Sequence, residues 1–425
     1  MIKNNVGKRI LYSLRANAIT YIIRLLTVAA YLVCLYFAGK YSAAIAKFGD
    51  TPYTSPALLW AFTHSMLFVA VAGGAGVAFV LFYPFERRMA ENALRSIGMI
   101  NHADEAPVLL RKKQDKTHPN VTVWHFRNNG TPLHTWENCS AEIETALCVI
   151  VVGICYGKNN QRILLSTVPA GSGLPERIVW KDRYLSPRSF ELMLGRSYTG
   201  DVTVNLADIP HILLGGATGS GKSVLLKCLI MQAYRKGASV AIADFKGGVD
   251  FPLSWREKCR MCFNEKALIE LLDSYVSTLE ERKRLFGDAG IANLDEYNKA
   301  NGTRLKRYIL ACDEIAEVLD KTGLTKEQKE TVAQIESRLS LIARQGRAFG
   351  IHLILATQRP DANILSGQIR NNINCRICGR ADNVLSQIIL DNTDAADQIP
   401  KHAKGRFMLH DGTVFQGFWL ENTEL

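Results

Sequence analysis

The sequence predicts an α/β protein whose largest part is a parallel sheet covered by helices. Three observations predict this fold. Strand-like apolar runs alternate with helical patterns from Gly200 onward. A glycine-rich phosphate-binding loop, residues 216–223, stands between the first of these strands and its helix. A later apolar run ends in two adjacent carboxylates, Asp313 and Glu314, as the metal-binding strand of such a sheet does.

The charge of the chain indicates which kinds of molecule it binds. The chain has 425 residues, and its 51 Lys and Arg exceed its 40 Asp and Glu by 11. Such a surplus favours nucleic acid or an anionic membrane surface. Among ten cysteines, the pairs Cys259/Cys262 and Cys375/Cys378 lie in strand-like runs. Residues three apart in a strand point to opposite faces, so we predict buried thiols in a reducing compartment rather than a zinc or disulfide framework.

The N-terminal region predicts a membrane anchor. Residues 1–21 form a basic lead, and residues 22–85 contain two apolar runs, at about 22–39 and 57–82. Each run is long enough for the ~20 helical residues that cross a bilayer. Basic residues flank the pair on both outer sides, at Lys3, Lys8, Arg9, Arg15, Arg87, Arg88 and Arg95. The positive-inside rule therefore predicts a multi-pass protein of the cell membrane with both termini in the cytoplasm.

The sequence of residues 86–199 predicts a small α/β adaptor domain. The runs APVLLRKK, NVTVWHF, VIVVGICY and RILLSTV are strand-like, and a helix is predicted from Ser140. No catalytic constellation is visible there. We expect this domain to couple the membrane anchor to the domain that follows at residues 200–425.

The phosphate-binding loop reads GATGSGKS and follows the apolar run ILL. Its glycines let main-chain N–H groups turn inward around a β-phosphate. Lys222 brings a cation to the β- and γ-phosphates, and Ser223 offers a hydroxyl to Mg²⁺. The sequence thus predicts ATP and Mg²⁺ as the cofactors. The predicted nucleotide-binding residues are Gly216, Ala217, Thr218, Gly219, Ser220, Gly221, Lys222 and Ser223.

Further candidates stand where predicted strands end. Asp313 is expected to hold Mg²⁺ through water together with Ser223, and Glu314 to orient and activate the attacking water. Gln358 follows the strand IHLILAT and is expected to reach the γ-phosphate or its water. Ligands of parallel α/β sheets bind beyond the carboxyl ends of the strands, which is where all these residues fall.

Arg347 has two interpretations. Thr325 and Gln328 form a predicted capping box, which opens a helix that ends near Arg347. An arginine on the surface of such a domain can insert into the nucleotide site of a neighbouring subunit. It can equally be a charge that stabilises the end of its own helix. Spacing alone does not separate these interpretations.

The ordered motifs go beyond a generic nucleotide fold. The stretches LGRSYTG, PHILLGGATGSGKS, LEERKRLFGDAGIANLDEYN, ACDEIAE, RAFGIHLILATQRPDANIL and ILDNTDAADQIP resemble the FtsK/SpoIIIE family over about residues 194–418. The resemblance implies a RecA-like, homohexameric ATPase ring that threads DNA. It also implies that Arg347 is the finger residue, although the family's RAAG box reads RAFG here.

The resemblance leaves several functions open. With two predicted spans and no winged-helix module expected after the motor, the chain looks like the coupling proteins of Gram-positive, Tn916-like conjugative elements. Those would imply a relaxase and mating-channel proteins as partners. The alternatives are a chromosome translocase of cell division, a protein-secretion ATPase of the type VII sort, and a nucleotide-gated relaxase receptor.

Overall fold

The computed structural model describes residues 25–41, 55, 60, 64, 67–68, 70–78, 85–358, 365–421 and 425. The chain divides into two compact units, Met1–Gly173 and Leu174–Leu425. The predicted basic lead, residues 1–21, lies outside the described residues, as do parts of both predicted membrane helices.

The two apolar N-terminal segments are helical where they are described, at residues 25–41 and 70–78. The Tyr31 hydroxyl donates to the carbonyl of Ala70 at 2.8 Å. A Cβ on Gly73 would lie 2.8 Å from the Tyr31 ring, so a larger residue there would displace the ring. Within the described parts of the chain, no helix has both the length and the hydropathy that a bilayer crossing requires.

The rest of the first unit is a four-stranded antiparallel sheet with three helices. The strands lie in the order β1-β2-β4-β3. Trp136, Ile143, Phe126 and Leu94 are fully buried and form its core. The elements are α1 (Phe85–Ser96), β1 (Val108–Gln114), β2 (Thr122–Arg127), α2 (Leu133–Asn138), α3 (Ser140–Leu147), β3 (Val149–Tyr156) and β4 (Arg162–Pro169).

The second unit is built on an eleven-stranded sheet in the order β10-β9-β11-β12-β8-β13-β14-β15-β6-β7, with β5 paired to β15. From β10 to β13 all neighbours are parallel, and from β13 to β7 they are antiparallel. The strands are β5 (Ile178–Val179), β6 (Glu191–Ser197), β7 (Gly200–Asn205), β8 (Ile212–Gly215), β9 (Ser239–Ala243), β10 (Arg260–Cys262), β11 (Tyr308–Cys312), β12 (Ile351–Thr357), β13 (Cys375–Cys378), β14 (Arg406–Leu409) and β15 (Val414–Trp419).

Helices cover both faces of this sheet. One core contains residues of α6 and α9, and the other contains residues of α4 and α5. The helices are α4 (Lys222–Arg235), α5 (Leu253–Lys258), α6 (Glu265–Ala289), α7 (Leu294–Asn301), α8 (Ile315–Leu319), α9 (Lys326–Phe349), α10 (Gly367–Arg370), α11 (Asn383–Leu390) and α12 (Asp394–Gln398). This confirms the predicted α/β class and its parallel sheet.

Local signals in the sequence explain the best-predicted helix. Thr325 accepts from the N–H of Gln328, and the Gln328 side chain accepts from the N–H of Thr325, so the predicted capping box forms. The helix ends at Gly350, whose φ of 69° suits glycine. Its buried face carries the predicted residues Val332, Ile335, Leu339 and Ile342.

The structure moves the predicted boundary between adaptor and ATPase domain. A boundary at 199/200 would cut the β6–β7 hairpin, which belongs to the second sheet because β6 pairs with β15. The compact units separate at Gly173 and Leu174 instead.

The cysteines of both C-x-x-C pairs are buried free thiols. Burial raises the pKa of Cys375 and of Cys378 to about 12.

Candidate nucleotide site

The phosphate-binding loop joins β8 to α4 at the edge where β8, β9, β11 and β12 end. We call this the carboxyl edge and the opposite one the amino edge. Gly219 and Gly221 have φ of 75° and 101°, a region that favours glycine. A Cβ on Gly221 would lie 3.0 Å from the main chain of Gly405. The N–H groups of Val224 and Leu225 donate to the carbonyl of Gly221 at 3.1 and 3.0 Å, so α4 begins directly at the loop. The N-terminus of a helix favours a bound phosphate.

Lys222 and Ser223 both face Asp313. The Lys222 ammonium donates to the carbonyl of Asp313 and lies 3.4 Å from its Oδ1. The Ser223 hydroxyl donates to the same Oδ1 at 3.0 Å. Lys222 and Asp313 are each only 3% exposed. The register of the parallel strands therefore brings together two motifs that are far apart in sequence, as predicted.

The donor set fits Mg²⁺. Asp313 Oδ2 is buried and has no hydrogen-bond partner among the described residues. A carboxylate oxygen in that condition is costly unless a ligand uses it. With the hydroxyl of Ser223 beside it, this oxygen offers the hard ligands that Mg²⁺ prefers. Ser223 and, through water, Asp313 are the residues that would hold the ion.

Glu314 is buried and held by the end of β12. Its Oε1 accepts from the Thr357 hydroxyl at 2.8 Å, and its Oε2 accepts from the N–H of Gln358 at 2.9 Å. Glu314 is 7% exposed. These bonds fix the carboxylate between the strand ends β11 and β12, next to the phosphate-binding loop.

A cavity of about 240 Å³ is lined by residues 217–224 and Gln358. The Thr218 hydroxyl donates to Gln358 Oε1 at 2.8 Å, so the predicted γ-phosphate residue already contacts the loop. The structure thus brings Gln358, Glu314 and Asp313 to one edge with the phosphate-binding loop.

Asp244 and Lys246 also belong to the carboxyl edge. Lys246 Nζ lies 3.9 Å from Asp313 Oδ2. Asp244 follows β9, which pairs with β11, and its buried Oδ2 has no hydrogen-bond partner among the described residues. No motif in the sequence assigns a role to either residue. Only the pairing of β9 with β11 shows that they flank Asp313.

Arg347 lies at the amino edge, away from the phosphate-binding loop. It is two residues before the end of α9, and β12 begins directly after that helix. Seven strand residues, roughly 20 Å at ~3.3 Å per residue, separate the two ends of β12. The guanidinium donates from Nε to the carbonyl of Ala207 at 3.2 Å and lies 4.0 Å from Asp208. Arg347 therefore cannot reach the nucleotide site of its own chain.

The amino edge also holds a buried polar network. Arg307 donates to Nε2 of His352 at 3.0 Å and to Asp295 at 2.6 Å. Nδ1 of His352 then donates to the carbonyl of Pro210 at 2.9 Å, and Nδ1 of His211 accepts from the N–H of Leu353 at 3.0 Å. Burial lowers the pKa of His211 to about 4 and that of His352 well below its usual value.

Arg380 is a contact of the phosphate-binding loop that the sequence did not indicate. Its Nη2 donates to the carbonyl of Thr218 at 2.5 Å, and its own carbonyl accepts from the N–H of Ala217 at 2.7 Å. The N–H of Gly405 donates to the carbonyl of Ser220 at 2.7 Å. Arg380 and Gly405 are far from the loop in sequence and reach it through the pairing of β13 and β14. No local sequence pattern therefore predicts these contacts.

Comparison with known proteins agrees with this geometry. The sequence profile of the FtsK/SpoIIIE family matches residues 176–362. The DNA translocase FtsK of Caldanaerobacter subterraneus subsp. tengcongensis is 30% identical over 222 residues, which are 49% of this chain and 29% of that protein. The DNA translocase FtsK of Chlorobaculum tepidum is 32% identical over 223 residues, 48% of this chain and 26% of that protein.

A solved structure extends the match. The pCW3 conjugation coupling protein TcpA, in a monomer form with ATPγS, is 33% identical. The match covers 79% of this chain and 95% of the TcpA chain, with a TM-score of 0.59. The chain spans only about a quarter to a third of the FtsK relatives it matches, but it covers nearly all of the TcpA structure. On the family profile, the FtsK relatives and this structural match, the chain belongs to the FtsK/SpoIIIE family.

Proposed function

We propose that this protein is a membrane-anchored, ATP-driven DNA translocase that acts as a coupling protein in conjugative transfer. The observation that carries the proposal is the 33% identity to the conjugation coupling protein TcpA across 95% of that structure. The nucleotide site supports the enzymatic part, because each residue that hydrolysis needs from its own chain lies at the carboxyl edge.

Hydrolysis would use these residues in separate roles. Lys222 and the loop N–H groups hold the β- and γ-phosphates, and Gln358 contacts the γ-phosphate or its water. Bound Mg²⁺ would neutralise charge between the β- and γ-phosphates. Glu314 orients the attacking water. The water oxygen then bonds to the γ-phosphorus and loses a proton to the carboxylate of Glu314, while the bond from phosphorus to the β–γ bridging oxygen breaks, and ADP and phosphate leave.

DNA is the proposed cargo. The formal net charge of +11 favours an anionic partner. The FtsK relatives are described as DNA translocases. A motor that moves along DNA must grip phosphates rather than bases, so we expect binding with little sequence preference.

The assembly and location are part of the same proposal. The predicted helices at about 22–39 and 57–82 would anchor the protein in the cell membrane, with both termini in the cytoplasm. A homohexameric ring would place Arg347 of one subunit beside the nucleotide of the next. A relaxase and mating-channel proteins would be the conjugative partners.

A chromosome translocase of cell division is the second candidate. The matches to DNA translocase FtsK favour it, since they reach 30–32% identity over the ATPase region. The two functions share the motor and differ in the cellular process. Replacing Glu314 by Gln in the native host distinguishes them: conjugative transfer is lost under our proposal, and chromosome segregation fails under the alternative.

The biochemical test measures the ATPase rate of the full chain in detergent with duplex DNA, single-stranded DNA or an unrelated protein. We expect DNA to stimulate hydrolysis and DNA affinity to fall steeply with salt, because bound phosphates release counterions. Glu314→Gln serves as the inactive control. Stimulation by protein and indifference to both forms of DNA, in verified oligomers, would instead support a secretion ATPase.

A further inference from the structure

We propose that Arg380 is a positioning residue that holds the phosphate-binding loop in its nucleotide-binding conformation. The inference rests on the proposed nucleotide binding. It adds a cation, supplied by the segment after β13, to the residues that serve the phosphates. Neither the phosphate-binding motif nor the acidic pair after β11 includes this position.

Arg380 contacts two successive residues of the loop. Its carbonyl accepts from the N–H of Ala217 at 2.7 Å, and its Nη2 donates to the carbonyl of Thr218 at 2.5 Å. A peptide unit is planar and trans, so its C=O and N–H point in opposite directions. Holding the Thr218 carbonyl therefore turns the N–H of Gly219 away from Arg380, where it is free to meet an anion.

The guanidinium also stands beside the loop. A Cβ built on Gly219 would lie 3.6 Å from Nη2 of Arg380. A fixed positive charge at that position favours a bound anion and is already oriented before the ligand arrives. Hydrogen bonds from a charged donor are stronger than those between neutral groups, so this contact fixes the peptide firmly.

A second attachment keeps Arg380 in place. Its Nη1 donates to the carbonyl of Lys401 at 2.8 Å. The segment that begins at Lys401 reaches Gly405, whose N–H donates to the carbonyl of Ser220 at 2.7 Å. The loop is thus held from two sides, by Arg380 and by Gly405, and Arg380 connects both supports.

Arg376 provides a matched control. It lies on β13, donates to the carbonyls of Ile373 and Arg370 at 3.0 Å each, and forms an ion pair with Asp391. It therefore holds main-chain carbonyls as Arg380 does, but none of them belongs to the phosphate-binding loop. Because Arg376→Ala also removes the ion pair with Asp391, it should lower stability at least as much as Arg380→Ala does.

The experiment measures the binding of ADP, AMP and ATPγS to the full chain in detergent by calorimetry. We expect Arg380→Ala to weaken ADP and ATPγS about tenfold, the size expected for a lost charged hydrogen bond. AMP, which lacks the β-phosphate, should change less than about twofold by the same reasoning. Arg380→Lys should recover part of the affinity, and Arg376→Ala should bind like the unmodified protein.

The kinetics give an independent readout. In Arg380→Ala the KM for ATP should rise about tenfold while kcat falls less than about threefold, because binding and not water activation is affected. The ligand-free Tm of Arg380→Ala should be no lower than that of Arg376→Ala. Unchanged ADP affinity in Arg380→Ala, or equal weakening of ADP and AMP, would overturn the proposal. If the unmodified protein bound neither ADP nor ATPγS, the proposed function itself would fail.

Discussion

At the carboxyl edge of the second sheet, Asp313 and Asp244 each keep a buried carboxylate oxygen without a hydrogen-bond partner among the described residues. At the amino edge, His352 uses both of its ring nitrogens on Arg307 and Pro210. The same strands carry both sets of residues. The carboxyl edge keeps these carboxylate oxygens beside the phosphate-binding loop. The amino edge bonds its polar groups mainly to its own elements, although Nε2 of His211 and Nε of Arg307 also lack partners among the described residues. Substitutions at the carboxyl edge should therefore alter ATP binding or hydrolysis, and substitutions at the amino edge should alter the free energy of unfolding.

The largest expected effect tests the carboxyl edge. Glu314→Gln should lower ATP turnover by about 100-fold or more, the usual cost of losing a positioned base. ATP affinity and Tm should stay close to those of the unmodified protein, because the amide keeps an acceptor for Thr357. Lys222→Ala should weaken both binding and turnover. Steady-state ATPase assays and ATPγS titrations measure the difference, and normal turnover in Glu314→Gln would remove that residue from the mechanism.

Arg347 lies at the amino edge, but we propose that it takes part in ATP hydrolysis in the neighbouring subunit. Arg347→Ala should lower turnover on the order of 100-fold or more if it serves the neighbouring subunit's ATP. Mixing Arg347→Ala with Glu314→Gln subunits should restore part of the rate, since some interfaces then have both residues intact.

If verified mixed oligomers show no recovery of the ATPase rate, Arg347 instead stabilises the end of its own helix. Arg344→Ala, which removes a nearby charge of the same helix, controls for the loss of charge at the helix end.

Arg307→Ala tests the amino edge for stability. The change leaves Nε2 of His352 buried without its donor and removes the contact to Asp295, so we expect a loss of about 3 kcal/mol. Chemical unfolding followed by tryptophan fluorescence measures it. Arg304→Ala, at an exposed position nearby, should change stability by less than about 0.5 kcal/mol. Equal stabilities of the two variants would contradict the structural role of this edge.

The pH dependence of stability tests the same network at the amino edge. His211 and His352 are neutral in the folded protein because burial lowers their pKa, whereas in the unfolded chain they titrate near 6.5. The unfolded state then binds more protons, so stability falls as pH drops from about 6.5 towards 4. Each histidine contributes a slope of about 1.4 kcal/mol per pH unit within that window.

Unfolding between pH 7 and pH 5 checks this dependence. His352→Asn should flatten the slope, and replacing the exposed His402 by Asn should leave it unchanged. A slope that is the same in all three proteins would assign the acid sensitivity to other groups.

Local chemistry made much of the second unit predictable. The capping box at Thr325, the phosphate-binding loop and the acidic pair Asp313–Glu314 each occupy a few consecutive residues. A parallel sheet then requires their strand ends to meet at one edge, so the site followed from topology. The ligands, the subunit contacts and the membrane helices stay predictions, because they depend on molecules outside this chain.

The contacts that escaped prediction join distant parts of the chain. Pairing of β15 with β6 places Glu191–Ser197 in the second sheet, and no local pattern in that strand indicates this pairing. Arg380 and Gly405 reach the phosphate-binding loop only because β13 pairs with β8 and β14 with β13. The Arg307–His352 bond depends on the register of β11 and β12. None of these arrangements has a short sequence pattern.

The position of β8 has a consequence for synthesis of the protein. Among the described strands, β8 pairs with β12 and β13, which follow it much later in the chain. A ribosome therefore releases the phosphate-binding loop long before the strands that hold it, and such distant pairings form slowly. An incomplete nascent chain thus lacks Glu314, Gln358 and Arg380 around its loop. A nascent chain that ends before Gly405 also lacks the hydrogen bond from Gly405 to the carbonyl of Ser220, so its loop is held on fewer sides.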